Sequence, residues 1–133
     1  MQIKRREAFS LVEILVAILV IGIMAAFVVP QIRNARKASE VAIARQQQAE
    51  LQVALGNWIA SASSGPGGLA AARTAYAGNK LELISDYLQA STLDSLTGAG
   101  NSVTSDALEG AGASLQFSAW TGSSGPVVEW VPK

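Results

Sequence analysis

Cysteine and histidine are both absent from the 133 residues. Their absence removes disulfides, zinc sites of the usual kind, thiol nucleophiles and every acid/base arrangement built on imidazole. Aromatics are scarce too: three tryptophans, two tyrosines and three phenylalanines leave an interior of aliphatic side chains and alanine. Neither sign of charge is in excess, because ten basic residues balance ten acidic ones, and this gives no electrostatic case for nucleic acid. Half of the chain is hydrophobic, which excludes a disordered tail. The lack of cysteine leaves the compartment open, since an exported protein can fold without disulfides. Ser, Asp and Glu occur only as isolated residues with no histidine to activate them, so the chain is expected not to be an enzyme and to need no cofactor.

What the chain does have is one long apolar run. Ile14 to Val29 is sixteen consecutive apolar residues, and with Phe9 to Val12 it reaches the roughly 20 residues that cross a hydrocarbon layer. A short leader, Met1 to Ala8, precedes it and carries Lys4, Arg5 and Arg6. Within Phe9 to Val29, Glu13 is the only ionisable group and Ser10 the only other polar side chain. A carboxylate in hydrocarbon costs about 2 to 4 kcal/mol even on lenient insertion scales, so Glu13 calls for a function.

Three readings compete for this segment. A secretory signal peptide would place small residues such as Ala25-Ala26 before a cut, but it leaves Glu13 inside its apolar region, and the chain stays apolar to Val29. A plain membrane anchor accounts for the length and leaves the carboxylate unexplained. The third reading is a resemblance: Ala8-Phe9-Ser10-Leu11-Val12-Glu13 resembles the cleavage and methylation signal of type IV pilins and type II secretion pseudopilins. The likeness covers about residues 4 to 30 and includes Pro30 at the end of the apolar segment. It departs from the family at Ala8, where glycine is usual, and alanine is small enough to fit the same pocket.

The resemblance implies that a prepilin peptidase cuts between Ala8 and Phe9 on the cytoplasmic side and that Phe9 is then N-methylated. Loss of the leader takes away three basic groups and Glu7, leaving seven basic against nine acidic side chains, a formal charge of −2. The new α-amine would sit at the positive end of a helix dipole, where a cation is disfavoured and needs an anion. The resemblance assigns that anion to Glu13 of a neighbouring subunit as the copies pass from the lipid bilayer into a filament. A local alternative stands beside it: Ser10-Leu11-Val12-Glu13 fits the capping box S-x-x-E, with Glu13 reaching back to a free backbone donor, and the two roles can coexist. Orientation rests on the leader, because Arg33, Arg36, Lys37 and Arg45 balance its basic residues.

Gly22 and Pro30 both weaken a helix, and Ile23 to Val29 lies between them. In a bilayer the helix should be kinked but kept; the resemblance implies unwinding of this stretch in a filament. From Gln31 to Ser61 an amphipathic helix is expected, with Val41, Ala44, Leu51, Leu55 and Trp58 on one face and Gln48 as its polar interruption. That stripe is expected to pack a small head, for which 62–133 alone is too short to bury a robust core.

In the head, Ala62 to Gly68 is a helix stop, Leu69 to Ala77 and Lys80 to Ser91 read as short helices, and Leu96 to Ser114 reads as a long loop with an edge strand near Ser102 to Thr104. Leu115 to Thr121 and Val127 to Val131 flank Gly122-Ser-Ser-Gly125 as a hairpin, with Pro126 suited to an edge. The expected fold is α+β: leader 1–8, membrane and assembly helix 9–30, spine helix 31–61, and a head 62–133 with one or two short helices on a two- to three-stranded antiparallel sheet. Families of this kind often close the head with a disulfide or calcium. The first is excluded by composition, and Asp86, Asp94, Asp106, Glu109 and Glu129 lack the spacing of an oxygen cage, so no metal is expected.

The resemblance therefore implies a structural subunit of a helical filament. It would be held in the inner membrane with its head in the periplasm, and its partners would be further copies, related pilin-like subunits, the peptidase and an inner-membrane assembly platform. The short head and the Val28-Val29-Pro30-Gln31 run resemble secretion pseudopilins slightly more than subunits of a true pilus. The competing class is a membrane-anchored binding module that does not polymerise.

Overall fold

The computed structural model describes residues 8–133. Met1 to Glu7, with Lys4, Arg5 and Arg6 of the expected leader, lie outside the described residues. Two compact units divide the chain in sequence between Arg36 and Lys37.

The first unit holds most of the apolar run. Helix α1, Leu11–Ser63, starts here and passes through both Gly22 and Pro30 without interruption. Proline at position 30 leaves the carbonyl of Ala26 without its helical donor, yet the helix continues through it. Every described side chain of this unit is exposed, including Leu15, Ile18, Ile21, Met24 and Phe27. The helix is long and apolar enough to cross a membrane, and none of its apolar window is buried in the protein. So many exposed aliphatic groups are stable only against lipid or another chain.

The second unit packs four strands and four short helices on the remaining part of α1. The buried face of α1 is Ala44, Gln47, Leu51, Ala54, Leu55 and Trp58, a repeat of three and four residues that lines one side of a helix. Against it lie Leu81, Ile84, Leu96, Val103, Leu108, Leu115, Phe117 and Val128. After a stop at Ser64 to Gly67 come α2 (Gly68–Ala75), α3 (Lys80–Leu83), a 3₁₀ turn at Ser85–Tyr87, α4 (Ala90–Ser95) and α5 (Asp106–Gly110). The strands are β1 (Thr97–Ala99), β2 (Ser102–Thr104), β3 (Ala113–Phe117) and β4 (Val128–Pro132), joined antiparallel in the order β1-β2-β3-β4.

The class is α+β, with a long N-terminal helix and a small head. Three expectations need correction. The head has four strands and four short helices, where two or three strands and one or two helices were expected. The expected loop over Leu96 to Ser114 holds β1, β2 and α5, and Ser102–Thr104 is an inner strand between β1 and β3. Gly100 and Asn101 join β1 to β2 in a two-residue turn, Ala99 pairing with Ser102. Positive φ falls at Gly100 alone, the pattern of a type II′ hairpin that suits the twist of the strands. Lastly, Lys80 to Ser91 is not one helix. Ser85 donates its hydroxyl to the carbonyl of Glu82 at 2.7 Å and competes with the helical ladder, and the chain is extended at Leu88 and Gln89. Leu81 and Ile84 still reach the core, whereas Tyr87 remains exposed.

Candidate assembly site at the helix start

Ala8, Phe9 and Ser10 precede the helix, and Ser10 caps it. Its hydroxyl accepts from the Glu13 amide at 3.2 Å, while its carbonyl accepts from Glu13 and Ile14 at 3.0 and 3.2 Å. This is the first half of the capping box. The reciprocal bond is not formed: the Glu13 carboxylate has no hydrogen-bond or ion-pair partner among the described residues. Glu13 lies in the first turn, where the free amides of the helix start favour an anion. A shallow recess of about 400 Å³ runs beside it, lined by Phe9, Glu13, Ile14, Ala17 and Ile18. Its depth comes from Ala17, one turn beyond Glu13, whose methyl is the smallest side chain of that wall. The arrangement offers an unpaired carboxylate in an apolar groove, able to accept a cation that arrives with its own apolar surroundings.

The helix-weakening pair, Gly22 and Pro30, lies further along the same exposed segment, and a side chain at Gly22 would meet open space. Of the five head-packing positions, Ala44, Leu51, Leu55 and Trp58 are buried and Val41 is half-buried at the start of the stripe.

The polar groups of that stripe were only partly foreseen. Gln47, not Gln48, is the buried interruption: its amide donates to the Ser95 hydroxyl at 3.2 Å and its carbonyl oxygen accepts from Ser105 at 2.8 Å. Ser105 also caps α5 by accepting from the Leu108 amide at 3.2 Å, so one hydroxyl ties that helix to α1. Gln48 and Gln52 act as a pair. Gln48 donates to the Val128 carbonyl at 2.9 Å, and Gln52 accepts from the Val128 amide at 2.7 Å. Val128 begins the edge strand β4, and its own N–H and C=O point away from β3, so two glutamines one turn apart satisfy an edge that would otherwise be open. Arg45 stacks 4.0 Å above the Trp130 ring on the same edge. The sequence shows only a run of glutamines, Gln46 to Gln48, that crosses the apolar stripe.

Charge in the head follows hydrogen bonding and burial. Thr92 donates to the Glu50 carboxylate at 2.6 Å and Gln46 donates at 2.9 Å; these two bonds, Thr92 foremost, hold Glu50 below the usual carboxylate range. Burial pushes the Tyr76 phenol up to about 12. Asp94, Asp106 and Glu109 line one recess, yet among the described residues no three acidic side chains converge closely enough to hold a metal ion.

Residues 3–29 match the family model described as the prokaryotic N-terminal methylation motif. The match ends within α1 and covers none of the head. Neither a curated protein nor a solved structure matches the chain.

Proposed function

We propose that this chain, which carries the type IV pilin-like prepilin leader, is a structural subunit of a pilin-like filament. The leader makes it a substrate of prepilin peptidase. The cut falls between Ala8 and Phe9, and Phe9 becomes the methylated N-terminus. The subunit waits in the inner membrane on its apolar helix, its head in the periplasm, until an assembly platform passes it into the growing polymer. Related pilin-like subunits join the same filament.

The observation that carries this reading is the Glu13 carboxylate beside Phe9, unpaired among the described residues. Ser10 already caps the helix without it, so the helix start alone does not explain a charge in hydrocarbon. An α-amine from a neighbouring copy supplies the missing cation. A buried charge left unpaired costs several kcal/mol, so the pairing rejects wrong registers more than it adds stability. Within the class, the compact head and the Val28 to Gln31 run support a secretion pseudopilin over a pilus subunit.

The direct test is the mass of the mature chain from its own cells. The expected species begins at Phe9 and carries one extra methyl group. A chain cut after Ala26, or one retaining Met1, would replace the filament reading with a secreted or simply anchored protein. Deleting the gene separates the finer readings: loss of protein export marks a pseudopilin, and loss of motility or adhesion with export intact marks a pilus subunit.

A further inference from the structure

We propose that the head carries a binding site for a small oxyanion, a carboxylate or phosphate group, in the recess between α2, the turn at Gly78 and the loop after β3. The recess measures about 250 Å³, and Arg73, Tyr76, Lys80, Asn101, Ser118 and Trp120 line it. Its volume is below that of sites for drug-sized ligands, which suits a single ionic group. This inference does not rest on the filament reading.

Lys80 is the foundation of the site. It is only 6% exposed, and its ammonium donates to the carbonyls of Tyr76 and Gly78 at 3.2 and 3.3 Å. It also lies 4.3 Å from the centre of the Tyr76 ring. All three partners are neutral, and no carboxylate pairs with Lys80 among the described residues. Dipoles and a ring face soften the burial of a charge, but they leave it unbalanced. Arg73, on the rim, adds a second cation: it donates to the Gly122 carbonyl and lies 5.7 Å from the centre of the Trp120 ring.

Trp120 completes the case. Its indole Nε1 is buried and has no acceptor among the described residues. A buried donor without an acceptor is uncommon in a folded protein and asks for a partner. Tyr76 is not that partner: its hydroxyl donates to the Ser118 carbonyl at 3.1 Å, and its oxygen takes no hydrogen bond from the indole. Two cationic residues therefore line a recess whose lining has no acid, and the unused donor of Trp120 is buried beside it. An oxygen of a bound anion lies against the Lys80 ammonium and, after a small movement of the loop that carries Trp120, accepts from the indole. Arg73 closes over it from the rim.

The test uses the full-length chain in detergent micelles with ¹⁵N-labelled tryptophan. Indole signals are assigned with Trp120→Phe, and the chain is titrated with inorganic phosphate and separately with acetate, chloride keeping the ionic strength constant. The Trp120 signal is expected to move saturably while those of Trp58 and Trp130 stay in place. Saturation by phosphate alone identifies a free phosphate or headgroup source, and saturation by acetate identifies a protein carboxylate. Lys80→Met is expected to weaken binding at least about tenfold, the scale of one charged hydrogen bond. Should that variant lose the dispersed signals of a folded head, the exposed Arg73→Gln decides, with binding weakened severalfold. A Trp120 signal unmoved by both anions, one moved equally by chloride, or binding unchanged in Arg73→Gln and in folded Lys80→Met overturns the proposal.

Discussion

Removing the glutamine pair from the sheet edge gives a quantity that can be worked out in advance. Gln52→Ala deletes the acceptor 2.7 Å from the Val128 amide, and Gln48→Ala deletes the donor 2.9 Å from its carbonyl. Each is one neutral hydrogen bond in a half-buried place, worth about 1 kcal/mol, and slightly more where the backbone group left behind cannot reach water. Gln52→Ala should be the costlier of the two, because an unpaired N–H has fewer ways to be satisfied than a carbonyl with two lone pairs. The double variant should lose about 2 to 3 kcal/mol. For a unit of about 100 residues, 1 kcal/mol corresponds to roughly 4–8 °C, so a single variant should melt roughly 5 °C lower and the double roughly 10–15 °C lower. The assay is thermal melting of the full-length chain in micelles, followed by near-ultraviolet circular dichroism, with hydrogen exchange at Val128 as the local readout. Faster exchange at Val128 should accompany the lower melting point in Gln52→Ala. An unchanged melting point with Val128 still protected in the double variant would refute the clamp.

Two further outcomes follow from the same packing. At Gly98 an added Cβ would lie 2.6 Å from Leu81 Cβ and 3.1 Å from Asn79 Oδ1, so Gly98→Ala must push β1 away from α3 and should cost about 1–3 kcal/mol, read as a lower denaturant midpoint. The Glu50 carboxyl is held low by Thr92 and Gln46, so the stability it contributes is complete above the ordinary carboxylate value of 4.5 and is lost as pH falls through its lower folded value. Thr92→Val should therefore be less stable than the parent at pH 7, and the gap should narrow in acid; a gap that stays constant from pH 7 to pH 3 would assign the loss to packing.

Much of this architecture was legible because single residues carry strong local physics. Ser10 before an apolar run marks a cap, and the Ser-Ser-Gly-Pro-Gly-Gly run from Ser63 marks where α1 ends. Alternation around Gly122 to Gly125 identified the β3–β4 pair, whose register aligns Phe117 with Val128. The β1–β2 hairpin was missed although Gly100-Asn101 is a two-residue turn signal, because its flanking Thr-Gly-Ala and Ser-Val-Thr are too short and too mixed to show alternation. Only Val103 of those strands is buried, and it needs the α1 wall to be held there. Lys80 to Ser91 read as a helix because Leu81, Ile84, Tyr87 and Leu88 would share a face, and side-chain competition at Ser85 carries no periodic signature. The residues of the candidate assembly site, Phe9, Ser10 and Glu13, lie within one stretch of sequence, and the Ser10 cap was readable there. The Gln47 bridge and the Lys80 recess join residues distant in sequence, so no spacing could have announced them.

Filament yield in cells expressing Glu13→Gln decides whether the Glu13 charge is needed for polymerisation. Glutamine keeps the size of the side chain and leaves the Ser10 cap untouched, because that cap uses only the backbone amide of residue 13. The expected result is a chain cut before Phe9, held in the membrane, with filaments reduced at least about tenfold when counted by electron microscopy. Filaments at the parental level would contradict it, and would leave the Glu13 carboxylate without a part in assembly.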